Sequence, residues 1–192
     1  YWGSQPIVAA PAYIGAIFIF LFVLGILSVP GKLKRALVAI TGFSILMSWG
    51  SNFSLLTNFF IDYVPLYNKF RAVSSIQVVL EFCLPMLAAM GLFHVFYSTQ
   101  KLELKRFLKI AAIPIVLFGL VLLTQGMLSF SGANDAYFKE IYGTALVSQI
   151  REARISIFQS DLFRGILFCV LLTSLIYLYQ TKKIKVKIKI LL

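Results

Sequence analysis

Five apolar runs, at residues 11–29, 35–49, 76–97, 107–127 and 162–179, are separated in turn by short basic breaks and by two long loops at 50–75 and 128–161. An α-helix needs about 20 mainly apolar residues to cross a hydrocarbon core about 30 Å thick, and each run is near that length except the short second one. The pattern predicts an all-α fold, a polytopic transmembrane helical bundle of about five spans over residues 1–181, with a basic tail at 182–192. Gly15 and Gly25 in the first run mark a packing or lipid-facing helix, and Pro30-Gly31 ends it in a tight turn. Pro85 and Pro114 lie within the third and fourth runs, and Pro85 is expected to kink its helix.

Two of the intervening segments have a periodicity of their own. Ser54, Asn58 and Asp62 recur every four residues opposite Phe53, Leu56, Phe60 and Val64, which predicts an amphipathic helix capped by Ser51 or Asn52 and stopped by Pro65. Tyr137, Ile141, Ala145 and Leu146 fall at helical spacing in 134–155, predicting a second such helix weakened by Gly143. Ser160-Asp161 is then the expected cap of the last span, with Arg164 one turn on. The tail alternates Lys182-Lys183-Ile184-Lys185-Val186-Lys187-Ile188-Lys189-Ile190, which is a strand period suited to an anionic leaflet or to a protein partner.

Charge orients the bundle. Lys32, Lys34 and Arg35 fill one short break, Lys101, Lys105, Arg106 and Lys109 another, and five lysines the tail. Short loops rich in Lys and Arg stay in the cytoplasm. The two amphipathic helices then fall outside, with the N-terminus out and the C-terminus in. The composition agrees: 60% hydrophobic residues and a mean hydropathy of +0.90 exclude an ordinary soluble domain. The net charge of +11 gathers at helix ends, which points to anionic lipid and not to nucleic acid. Cys83 and Cys169 lie inside spans as small apolar residues. The chain begins with Tyr1-Trp2-Gly3 and no Met or signal peptide, so we expect it to be a piece of a larger protein.

Chemistry-bearing groups are few. No P-loop, dinucleotide fingerprint, zinc spacing or nucleophile elbow occurs, and the single histidine, His94, supplies no metal site alone. Glu81 lies in the third span, about two turns below its outer start, with Arg71 and Arg164 as partners expected at similar depth. The external block Tyr63-Val64-Pro65-Leu66-Tyr67-Asn68-Lys69-Phe70-Arg71 places Tyr67, Asn68, Lys69 and Arg71 at the mouth of that span. Two cations beside aromatic rings and an amide suit an anionic, sugar-bearing ligand, or else a structural turn whose cations touch lipid phosphate.

Several blocks in order carry a family resemblance: Tyr1-Trp2-Gly3-Ser4-Gln5-Pro6, Ser48-Trp49-Gly50, Pro65-Leu66-Tyr67-Asn68-Lys69-Phe70-Arg71, Leu87-Ala88-Ala89-Met90-Gly91-Leu92 and 154–164. Together they resemble the YfhO family of bacterial membrane proteins, in particular members from Bacteroidota. The resemblance implies a longer protein with a dozen or so spans in the bacterial inner membrane. It also implies kinship with the glycosyltransferase-C superfamily, which transfers sugars from polyprenyl-phosphate donors on the outer face of the membrane. The catalytic acid of that superfamily lies near the start of the protein and is expected outside this chain. On this reading Lys69 and Arg71, with Arg164, hold donor phosphate, Tyr67 and Asn68 line the cavity, and Glu81 pairs with a cation. No cofactor is identifiable, and a divalent cation is an expectation for the full-length protein only. Two other readings stand beside this one. Glu81 and Pro85 in one helix suit a lipid or polymer transporter component, and the basic tail suits a non-catalytic subunit of an envelope complex.

Overall fold

The computed structural model describes residues 14–69, 73–98, 102–132 and 134–182. Among them the chain is all helical and has no strand. Six α-helices follow in order: α1 Ala16–Ser28, α2 Lys32–Ser48, α3 Ser54–Tyr63, α4 Gln77–Tyr97, α5 Leu104–Leu123 and α6 Asp135–Gln180. Short 3-10 turns at Gly50–Phe53, Tyr67–Lys69, Val73–Ile76 and Gln125–Met127 join them. Three helices are long and apolar enough to cross a membrane: α4, α5 and α6. The first helix is shorter than the hydropathy pattern predicts, and the second, expected at 35–49, begins three residues earlier and ends one residue earlier. Gly15 is extended, so α1 has 13 residues and a length of about 20 Å. Gly31, at φ 120°, places the start of α2 at Lys32, and its 17 residues span about 26 Å.

The described residues form two compact units, divided after Ile110. In the first unit α1, α2 and α4 pack around Leu37, Cys83 and Leu87, with Phe22, Val38, Val79, Met86 and Met90 at the margin. Phe20, Leu24 and Leu87 are almost wholly buried. The tightest crossing is between α1 and α4 at Gly25 and Gly91. A Cβ on Gly91 would lie 2.6 Å from the Gly25 nitrogen and 2.9 Å from the Leu21 carbonyl oxygen. Only the absence of side chains lets these backbones come so close, as in small-residue helix contacts generally. The buried face of α2 is Leu37, Thr41, Ser44 and Met47, one stripe at helical spacing. Pro85 lies inside α4 and Pro114 inside α5, and both helices continue through them.

In the second unit the C-terminal helix departs from the expected division. The sequence pattern separates an amphipathic helix in 134–155 from a span capped at Ser160-Asp161. Instead, α6 breaks once, at Gly143 (φ 82°, ψ 172°), and continues to Gln180. Gly143 is the residue that accepts a positive φ without strain. No Gly or Pro lies between it and Gly165, so nothing stops helix propagation through Asp161. The break also separates Tyr137 and Ile141 from Ala145 and Leu146, which therefore share no continuous apolar face. Both tyrosine and isoleucine are exposed.

Candidate functional site

The block proposed from sequence begins where α2 ends. Gly50, at φ 52°, turns the chain into a 3-10 turn, and α3 follows. Ser51 and Asn52 do not cap α3: its N-cap is Phe53, which makes no side-chain cap bond. A different polar contact does the anchoring. The Thr57 hydroxyl, buried within α3, donates to the Gly50 carbonyl oxygen at 2.7 Å and ties the helix back to its entry turn. The amphipathic reading of α3 holds in its main feature. Ser54, Asn58 and Asp62 are exposed, whereas Phe53, Leu56, Phe60 and Val64 are half-buried. The exposed remainder is more apolar than the stripe suggested, with Leu55, Phe59, Ile61 and Tyr63 all open.

After α3 the chain reverses. Val64 is extended, and Leu66 takes φ 67°, a left-handed conformation uncommon for a leucine. Tyr67–Lys69 then forms a 3-10 turn. This reversal carries the Tyr67 ring back onto Phe60, with centroids 5.4 Å apart. Phe60 also meets Phe43 of α2 at 5.8 Å and Phe59 at 5.8 Å, and Phe59 meets Tyr63 at 5.1 Å. Three of these pairs are tilted and Phe59–Phe60 is edge-on, and all lie within the favourable range of about 4.5–7 Å. Five aromatic side chains thus form a continuous wall, and the exposed Lys69 stands on the turn beside it.

The other expected residues divide. Asn68 shares the backbone turn with Tyr67 and Lys69. Arg71 lies outside the described residues. Glu81 is exposed on α4, four residues after its start at Gln77, about 6 Å along the axis and so about one turn in, nearer the helix start than the two turns expected. Arg164 belongs to α6, where it meets Asp161 at 3.6 Å with both side chains mostly exposed. Such a pair contributes little in water. The lysine-rich alternation of 183–190 is outside the described residues. Cys83 and Cys169 are buried free thiols, as their positions in apolar runs suggest. Among the described residues no group of three or more His, Cys, Asp and Glu side chains is placed to hold a metal.

Two polar constellations were not apparent from the sequence. The first lies in the second unit. Arg154 grips Asp135 with both arms of its guanidinium, at 2.7 and 2.8 Å, and donates to the Phe130 carbonyl oxygen at 3.0 Å. The Asp135 carboxylate also accepts from the Gly132 amide at 2.8 Å. Arg154 and Gly132 together hold the Asp135 carboxyl below its ordinary range. Asp135 opens α6 on the far side of the Gly143 break from the apolar run 162–179. The pair depends on the left-handed turn at Phe130 (φ 51°) and on the break at Gly143, so a separation of nineteen residues carried no local signal. Nearby, the Gln159 side-chain amide donates to Gln125 at 2.9 Å. The second constellation is a cleft at the other end of the first unit's helices. It is lined by Leu27, Pro30, Lys34, His94, Glu103 and Arg106, among others.

No family model matches the chain, and neither a curated protein nor a solved structure does.

Proposed function

We propose that this chain is a membrane-embedded helical part of a YfhO-like, glycosyltransferase-C-related bacterial protein. It takes a polyprenyl-phosphate-linked sugar at the outer face of the inner membrane, for cell-envelope glycosylation. One observation carries the reading. The aromatic wall of Phe43, Phe59, Phe60, Tyr63 and Tyr67 has the exposed Lys69 beside it on a single reversing turn. Aromatic faces accept the C–H faces of a sugar, and an ammonium provides a point charge for phosphate. Arg71, two residues beyond Lys69 in the chain, supplies the bidentate partner a phosphate prefers. Glu81, exposed one turn into α4, is available to orient a sugar hydroxyl or a cation.

The topology belongs to the same proposal. Five crossings, with the start of the chain outside and the basic tail inside, put the α1–α2 and α4–α5 connections with their lysines and arginines in the cytoplasm. The α3 block is then external. The helices short of a full crossing are completed by interfacial residues such as Trp49, half-exposed at the end of α2.

The test is transfer of labelled sugar from a polyprenyl phosphate by membranes carrying the intact protein. The double variant Lys69→Gln/Arg71→Gln should reduce turnover at least tenfold while membrane insertion is unchanged. Wild-type turnover in that variant removes the phosphate-holding role. An absence of any sugar transfer by the intact protein, together with gradient-dependent lipid movement, moves the assignment to transport.

A further inference from the structure

The cleft at the opposite end of the first unit has a volume of about 420 Å³, within the ~300–1,000 Å³ of small-molecule sites. It lies where α1 and α4 end and α2 and α5 begin. Lys34 sits in the first turn of α2 and Arg106 in the first turn of α5. Both helices therefore direct free backbone amides and the positive ends of their dipoles toward this region. His94, in the last turn of α4, completes the basic rim. Glu103 is the single carboxylate in the lining, and it forms no ion pair among the described residues.

The cations are placed differently. Arg106 donates one N–H to the Leu27 carbonyl oxygen, at 3.1 Å, at the end of α1. That bond fixes the guanidinium at the rim and leaves further N–H groups of its fork for a ligand. Lys34 is half-buried and has no hydrogen bond or ion pair among the described residues, although a cation taken from bulk water favours an anionic partner. The other lining residues are Ser28 and the aliphatic Leu27, Val29, Pro30 and buried Leu102. Two cations and two helix starts meet a few aliphatic side chains at one cleft, a combination that matches an amphiphile more closely than a free ion.

We propose that this cleft binds the phosphate group of an anionic phospholipid, held by Lys34 and Arg106 with the glycerol and first acyl carbons against Leu27, Val29 and Pro30. The site is independent of the sugar-phosphate reading, because it uses none of the α3 block. Basic pockets between helices at the cytoplasmic surface take lipid headgroups of this kind.

The experiment is native mass spectrometry of the detergent-solubilised chain titrated with phosphatidylglycerol, with phosphatidylcholine and with inorganic phosphate as competitor. We expect one phosphatidylglycerol retained in preference to phosphatidylcholine. Lys34→Gln should weaken it about fivefold and Lys34→Gln/Arg106→Gln more than tenfold, while Lys34→Arg retains it. The single Lys34 variant disturbs no bond of the fold, so its loss of lipid is not a folding effect. The exposed pair Lys139→Gln/Arg151→Gln, which carries the same charge change in the second unit, should leave retention unchanged. Equal retention by the Lys34 and double variants, or equal retention of phosphatidylcholine, overturns the site. Inorganic phosphate bound at the cleft with no phosphatidylglycerol retained overturns the lipid and leaves a soluble phosphate as the ligand.

Discussion

Replacing Gly91 by alanine tests the crossing that organises the first unit. The added methyl would lie 2.6 Å from the Gly25 nitrogen, 2.8 Å from its Cα and 2.9 Å from the Leu21 carbonyl oxygen. All three are backbone atoms, so no side chain can rotate aside. Carbon–carbon contacts are comfortable at about 3.5–4.0 Å, so α1 and α4 must separate by most of an ångström. A gap of that size forfeits about a quarter to a half of the dispersion across the contact, felt first by Leu21, Leu24, Leu87 and Ala88, all buried there. Overpacking of this kind costs about 1–3 kcal/mol. Helix propensity acts the other way, since alanine in place of a helical glycine gains about 0.5–1 kcal/mol. The net expectation is a loss of about 1–2 kcal/mol, and more for Gly25→Ala, whose methyl would meet the Leu87 carbonyl oxygen head-on. Gly42 is the internal control. It lies within α2 with nothing inside 4 Å of an added Cβ, so Gly42→Ala should stabilise by about 0.5–1 kcal/mol. Unfolding followed by far-ultraviolet circular dichroism in mixed micelles, as denaturing detergent is raised, reads both. The opposite signs are the point of the comparison. A Gly91→Ala protein at least as stable as Gly42→Ala would show that α1 and α4 do not cross at these residues.

Two further outcomes follow from the polar contacts. Removing the Asp135–Arg154 grip by Asp135→Asn should cost about 2 kcal/mol near neutral pH, since charge-assisted hydrogen bonds contribute about 1.5–3. Because the folded carboxyl is held low, its contribution is complete above the ordinary carboxylate pKa of about 4 and is lost as pH falls through the folded value, so the variant should lose part of its acid sensitivity in a melting series from pH 6 to 2. An acid profile identical to the parent's would exclude the grip as a stabilising element. The hydroxyls of Thr57 and Thr41 should respond oppositely to valine. Thr57→Val strands the Gly50 carbonyl and should cost about 1 kcal/mol, whereas Thr41→Val removes a buried hydroxyl that has no partner in the described structure and should be neutral or stabilising. Equal losses at the two sites in the same detergent titration would contradict these assignments.

The sequence by itself determined the helical class, the positions of α4 and α5 to within a few residues, and the existence of α3. Each follows from hydropathy period and turn residues, which act over one or two helical turns and need no tertiary context. Pro65 and the four-residue polar repeat were sufficient to place α3 because a proline stop and amphipathicity are local, whereas the cap expected at Ser51 or Asn52 gave way to Phe53. The alternation of lysines and arginines supports an orientation for the same reason, whereas the crossings themselves remain part of the proposal. Tertiary structure decided the rest. Gly25 and Gly91 are sixty-six residues apart, and only the packing of α1 on α4 reveals why neither has a side chain. Asp161 reads as a cap in sequence, yet a helix that is not interrupted from 144 onward passes straight through it. The return of Tyr67 onto Phe60 depends on the left-handed Leu66, and the cleft of Lys34, His94 and Arg106 on the meeting of four helix ends. Residues distant in the chain become neighbours only where backbone reversals and close crossings bring them together, and a one-dimensional pattern holds no measure of that distance.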